Sequence, residues 1–165
     1  MSKPSFDNLV EQYSQQVLNT ALRILRDPQG AMEVHQDVFL AILKRWHRYD
    51  GEVQWRHYLY RMTIRKALHQ AKAMRKAKPI ESMEQGLAAK DRPEASLVAQ
   101  ELQQRLMEHL NKLPARQAEV FILHRLEGLS YQAIAEGLSC AESTVRVHLY
   151  RALKRLDKGM RDYLE

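Results

Sequence analysis

The chain has 165 residues, a single cysteine and a net charge of +6, with a pI near 9.5. Its length suits one medium domain or two small ones, and 45% hydrophobic with 28% charged residues builds a core rather than a disordered chain or a membrane span. One cysteine excludes an internal disulfide and a cysteine-based zinc site, while the basic balance points to a polyanionic partner.

Helical spacing of apolar residues recurs along the chain, and no segment alternates with period two for long. Phe6, Leu9, Val10, Tyr13, Val17, Ala21 and Leu25 form a first stripe, stopped by the turn chemistry of Asp27-Pro28-Gln29-Gly30. A second helix is expected from about Ala31 to about His47, with Val34, Val38, Ile42 and Leu43 inward. After a turn at Asp50-Gly51, a third runs from about Gln54 to about Met74. Within it, "WRHYLYRMTIRKALHQAKAMRK" (55–76) holds seven Arg or Lys, two His and no acid, with Trp55, Tyr58 and Tyr60 in its first turns. At 100° per residue, His57, Arg61, Arg65, Lys72 and Lys76 share a sector of about 100°. Trp55, Leu59 and Met62 fall on another side and should bury.

Residues 77–95 lose the periodicity and carry two prolines, a glycine and an acidic stretch, which reads as a flexible linker. The charge splits accordingly. Residues 1–78 hold 14 basic and 7 acidic residues, 79–100 hold 2 and 4, and 101–165 hold 10 and 9.

Beyond the linker a helix is expected from about Glu94 to Leu110. Another starts at Leu113-Pro114, with Pro at the first helical position, and is closed by Gly128. Ser130 caps a short helix through Leu138. Ser139-Cys140-Ala141-Glu142 fits a capping box opening a last helix to about Lys158. The expected fold is all-α: two small helical domains joined by a flexible linker, at 1–78, 79–98 and 99–165, the second a helix-turn-helix domain.

The stretch "LSYQAIAEGLSCAESTVRVHLYRALKRL" carries that motif. Ile134, Ala135 and Leu138 pack the first helix, small residues make the turn, and Val145, Leu149, Ala152, Leu153 and Leu156 form the buried side of the second. Ser143, Arg146, Val147, Tyr150, Arg151 and Lys154 are left outward, where such a helix enters the major groove. Arg there can read guanine through paired hydrogen bonds. The histidines show no i, i+4 pairing, and no metal or cofactor is expected. Nor is an enzyme expected, since the basic helix lacks the clustered carboxylates of metal-dependent phosphoryl transfer and no Ser or Tyr nucleophile has a catalytic setting.

At this point "LPARQAEVFILHRLEGLSYQAIAEGLSCAESTVRVHLYRALKRL" resembles region four of bacterial sigma factors, in particular of the short extracytoplasmic-function (ECF) group. Independently, "AMEVHQDVFLAILKRWHRYDGEVQWRHYLYRMTIRKAL" is similar to region two of the same family. The resemblance implies an alternative sigma factor that binds core RNA polymerase and directs promoter-specific initiation, with an anti-sigma factor as a further partner. It implies polymerase contact through Glu33, Val34, Gln36, Asp37 and Leu40. It assigns the unpaired minus-ten strand to the third helix, and Trp55, Tyr58, Arg61, Arg65, Lys72 and Lys76 are the candidates there. Cations would follow phosphates and rings would stack on bases. It assigns the minus-thirty-five element to Ser143, Arg146, Val147, His148, Tyr150, Arg151 and Lys154. The chain departs from the family pattern at Met32, Asp37, Tyr58, Arg65 and His148, which stand where an acid, Glu, Trp, Asn and often Arg are usual.

A DNA-binding regulator that does not act through core polymerase is the alternative. No secretory leader, no membrane insertion and no domain appended after Lys158 are expected, which gives a cytoplasmic, nucleoid-associated protein.

Overall fold

The computed structural model describes residues 3–77 and 94–164; the side chains of 75–77, 94–96, 163 and 164 are also outside the description. Among the described residues there are seven α-helices and no strand. They are α1 (Phe6–Leu25), α2 (Pro28–Lys44), α3 (Trp55–Ala77), α4 (Glu94–Lys112), α5 (Ala115–Phe121), α6 (Tyr131–Leu138) and α7 (Glu142–Leu164). A 3-10 turn at Trp46–Arg48 follows α2, and a π-helical turn at Ile122–Leu126 follows α5.

Helices α1 to α3 pack on one another around Leu9, Val17, Val34, Ile42, Leu59 and Ile64, all almost fully buried. Ser5 caps α1 by accepting from the Asn8 amide at 3.2 Å. Arg26 ends α1 in a left-handed conformation (φ 54°). The next helix starts earlier than expected. Pro28 is already helical, because Asp27 caps α2 by accepting from the Gln29 and Gly30 amides at 3.2 and 3.1 Å and Pro suits a first helical turn. Gly30 lets two polar side chains approach the backbone there. A Cβ would sit 2.9 Å from the Asp27 carboxylate and 3.1 Å from Gln70 of α3.

Helices α4 to α7 surround Leu110, Val120, Ile122, Ile134, Val145 and Leu149. Helix α4 starts at Glu94, where a helix was expected, so residues 94–98 of the 79–98 linker are helical, whereas 79–93 lie outside the described residues. Pro114 is the residue before α5, in an extended conformation (ψ 141°), rather than its first helical residue. Ser130 caps α6 as expected, accepting from the Ala133 amide at 3.1 Å. The capping box at Ser139 does not form. Ser139 instead terminates α6 with φ 53°, and the Cys140 amide donates back to the Ala135 carbonyl at 3.0 Å, the six-to-one bond of a Schellman motif. Helix α7 then opens at Glu142 and runs past Lys158 to Leu164.

Candidate functional site

Helix α2 turns one face outward. Glu33, Gln36, Asp37 and Leu40 are exposed on it, beside Met32 and Leu43. Val34 lies elsewhere, fully buried in the core, so it can position this face but not touch a partner. Leu43 corrects the inward expectation. At 100° per residue it lies about 180° from Val34 and is 47% exposed. Met32 is 59% and Leu40 50% exposed. Three large apolar side chains among three polar ones form the kind of surface that a protein partner covers. Gln70 of α3 braces the edge, donating to the Glu33 carboxylate at 3.1 Å and to the Gly30 carbonyl at 3.3 Å.

The start of α3 sits in an aromatic cluster. Trp55 stacks on Trp46 with centroids 5.5 Å apart and meets Tyr49 and Tyr58 edge-on. Lys3 lies over Trp46 and donates to its carbonyl. Trp55 is only 8% exposed, so it builds the platform and offers no ring to a base. Tyr58 is half-buried, and its hydroxyl lies 2.7 Å from that of Tyr49. Burial, then the Tyr58 hydrogen bond and charge, push the Tyr49 hydroxyl up to about 12 against the opposing pull of Arg45. Below this cluster Tyr58, Arg61, Met62, Arg65 and Lys66 line an open groove of about 270 Å³. Arg65 and Lys72 are exposed, while the Lys76 side chain lies outside the described residues. Arg61 and His57, expected on the free cationic side, are instead turned toward the second domain. The Arg61 Nε donates to Glu119 of α5 at 3.0 Å, and the His57 ring abuts Gly137 of α6.

Helix α7 buries Val145, Leu149, Ala152 and Leu156, with Leu153 half-buried, and exposes Ser143, Arg146, Val147, Tyr150, Arg151 and Lys154. His148 is half-buried. Its Nδ1 has no partner, and burial, then Arg116 and Arg151, lower its basicity. The Arg146 guanidinium lies 5.1 Å over the Tyr131 ring, which stacks on His124 at 4.6 Å, and the His124 Nδ1 is 2.9 Å from the Leu129 carbonyl. Sequence reasoning passed over this platform. Tyr131, directly after the cap residue, aims Arg146 by cation–π attraction.

Residues 9–78 match Sigma-70 region 2 and residues 103–156 match Sigma-70, region 4. This chain belongs to the sigma-70 family, in its ECF group. Both regions appear in family order and together span most of the chain, so it is an alternative sigma factor acting in promoter-specific transcription initiation. That displaces the regulator working without polymerase. The sigma-H factor of Pseudomonas aeruginosa is 28% identical over 98% of this chain and 89% of its own. The ECF sigma-E factor of Escherichia coli K12 is 27% identical over 93% and 85%. Among solved structures, CnrH in complex with the cytosolic domain of CnrY is 20% identical with a TM-score of 0.54, covering 95% of this chain and 88% of that one. The sigma factor RpoE in complex with the anti-sigma factor NepR from Bartonella quintana is 18% identical with a TM-score of 0.50, covering 94% and 96%. Both share the fold of this sigma factor.

Three histidines of the sigma factor carry a pH signature. Burial lowers the basicity of His35, and burial with nearby Arg lowers that of His57 and His148; Glu136 partly opposes this at His57. The folded chain therefore binds fewer protons than the unfolded chain below the ordinary histidine value of about 6.5, so stability falls as pH drops through that value. The thermal midpoint should decline between about pH 7.5 and about pH 5.5. A midpoint that stayed flat or rose over that window would contradict the burial of these rings.

Proposed function

We propose that the sigma factor divides its work among three helices. The outer face of α2, with Glu33, Gln36, Asp37 and Leu40, docks on core RNA polymerase. The groove beside Tyr58, Arg61 and Arg65 takes the unpaired minus-ten strand, with Lys72 and Lys76 along its backbone. The exposed face of α7 reads the minus-thirty-five element. The observation that carries this reading is the exposed mixed face of α2 on the same three-helix body as the basic groove, an arrangement a plain DNA-binding regulator does not need. An anti-sigma factor is the third partner, and it would cover one of these surfaces. The complex works in the cytoplasm, on nucleoid DNA. No helix among the described residues is long and apolar enough to cross a membrane.

Titrating labelled chain with core polymerase tests the first assignment. Saturable binding lost on mutating α2 supports it, and absence of binding would overturn it.

Arg65 tests the second. A guanidinium offers only donors, where the family's usual Asn offers both a donor and an acceptor to a base edge. Arg65 therefore favours phosphate contact or an atypical minus-ten element. Arg65→Asn should shift the preferred minus-ten sequence in a competition of promoter libraries, and should lower the salt slope of strand binding by about one. Unchanged preference and unchanged slope would refute the role.

A further inference from the structure

We propose that His124 and Tyr131, neither of them on α7, are positioning residues for promoter reading. Together they hold the Arg146 guanidinium where it meets one base pair of the minus-thirty-five element, an inference that rests on the assignment of that element to α7.

The chain between α5 and α6 builds the support. The Glu127 amide donates to the Ile122 carbonyl, five residues back, at 3.0 Å. Such π-helical turns are rare and are frequent at functional sites. Gly128 follows at φ 72°, where a Cβ would meet nothing within 4 Å, so the glycine serves a left-handed backbone and not a close approach. The chain then turns back, and the Leu129 amide donates to the Leu123 carbonyl at 3.0 Å. That return places the Leu129 carbonyl 2.9 Å from the His124 Nδ1. A carbonyl only accepts, so Nδ1 carries the proton and donates, which fixes the tautomer and the orientation of the ring.

The fixed imidazole supports Tyr131. The two rings stack with centroids 4.6 Å apart and planes 19° from parallel. Ser130 anchors the backbone beside Tyr131 by accepting from the Ala133 amide at 3.1 Å. The Arg146 guanidinium lies 5.1 Å over the Tyr131 ring, and no carboxylate pairs with it among the described residues. A carboxylate would take the N–H donors that Arg146 needs for guanine. A ring instead attracts the cation over its face and leaves the planar fork of donors for a base edge. A free arginine side chain spreads over many rotamers, and holding it in place before docking removes part of that entropy cost from the contact. The support therefore acts where Arg146 makes its paired bonds and little elsewhere along the DNA.

Holoenzyme assembled from core polymerase and the full chain, bound to a promoter library randomised across the minus-thirty-five element and sequenced, tests the support. Arg146→Ala marks the position that Arg146 reads. Tyr131→Leu and His124→Leu should each lower the preference at that same position, by about threefold for Tyr131→Leu. Affinity for unrelated sequences and helical circular dichroism should stay as in the wild type. Tyr131→Phe keeps the ring and should keep the wild-type preference. Adding Tyr131→Leu to Arg146→Ala should lower binding no further, since the two residues act as one unit. If one leucine variant unfolds, the other carries the test. Full preference in a folded leucine variant, or additive losses in the double variant, would overturn the proposal. So would an equal loss on all sequences in Tyr131→Phe, the mark of a hydroxyl on a phosphate. Failure of Arg146→Ala to relax any position would instead sink the reading by α7 on which the proposal rests.

Discussion

Asp37→Lys is expected to weaken binding to core RNA polymerase by at least about 2 kcal/mol, roughly thirtyfold, and to leave the fold intact. Asp37 is exposed on α2, away from the core residues Val34, Val38 and Ile42. A lysine there lies four residues after Glu33, the favourable order for an i, i+4 ion pair, so the helix loses nothing. The partner loses more. Reversing a charge inside a desolvated face both removes an attraction and buries a repulsion, and the apolar rim of Met32, Leu40 and Leu43 is what would exclude water from that face. Binding of promoter DNA by the preformed holoenzyme should change little once enough chain is added to saturate core. A variant that kept wild-type affinity for core would remove α2 from the polymerase interface.

Arg146→Ala should weaken binding to a specific promoter by about 1–3 kcal/mol and spare core binding. Arg146 is exposed on the second turn of α7 and held over Tyr131, so its guanidinium approaches the groove already oriented. Removing it from the surface costs the fold only the cation–π attraction, about 0.5–1 kcal/mol. Two mechanisms make different patterns. Loss of a base contact relaxes sequence preference at one position of the minus-thirty-five element, whereas loss of a phosphate contact weakens all sequences alike and lowers the salt slope by about one. Preference lost at one position supports reading by Arg146. Unchanged affinity for all sequences would assign readout to other residues of α7.

The fold was largely legible in the sequence because its signals are local. The apolar stripe of α1, the Ser130 cap and the buried set Val145, Leu149, Ala152 and Leu156 are written within a few residues of where they act. The errors also have local reasons. Ser139 and Glu142 have capping-box spacing, but a tight turn after α6 needs a left-handed residue, and Ser139 takes that position. Leu43 is apolar yet faces outward, which residue type alone does not reveal. Long-range contacts were least legible. Nothing near Arg61 in sequence announces Glu119, 58 residues away. A basic helix looks the same on paper whether its cations face solvent, DNA or a second domain. Trp55 and Tyr131 show the same limit, since aromatic residues near a binding surface serve equally as platform or as contact.

Run-off transcription on fragmented genomic DNA, with the purified chain and core polymerase and with sequencing of the transcript starts, tests the central claim most directly. Discrete starts that need the chain, each preceded by two shared motifs at minus ten and minus thirty-five, are expected. Starts no different from those of core polymerase alone would contradict it.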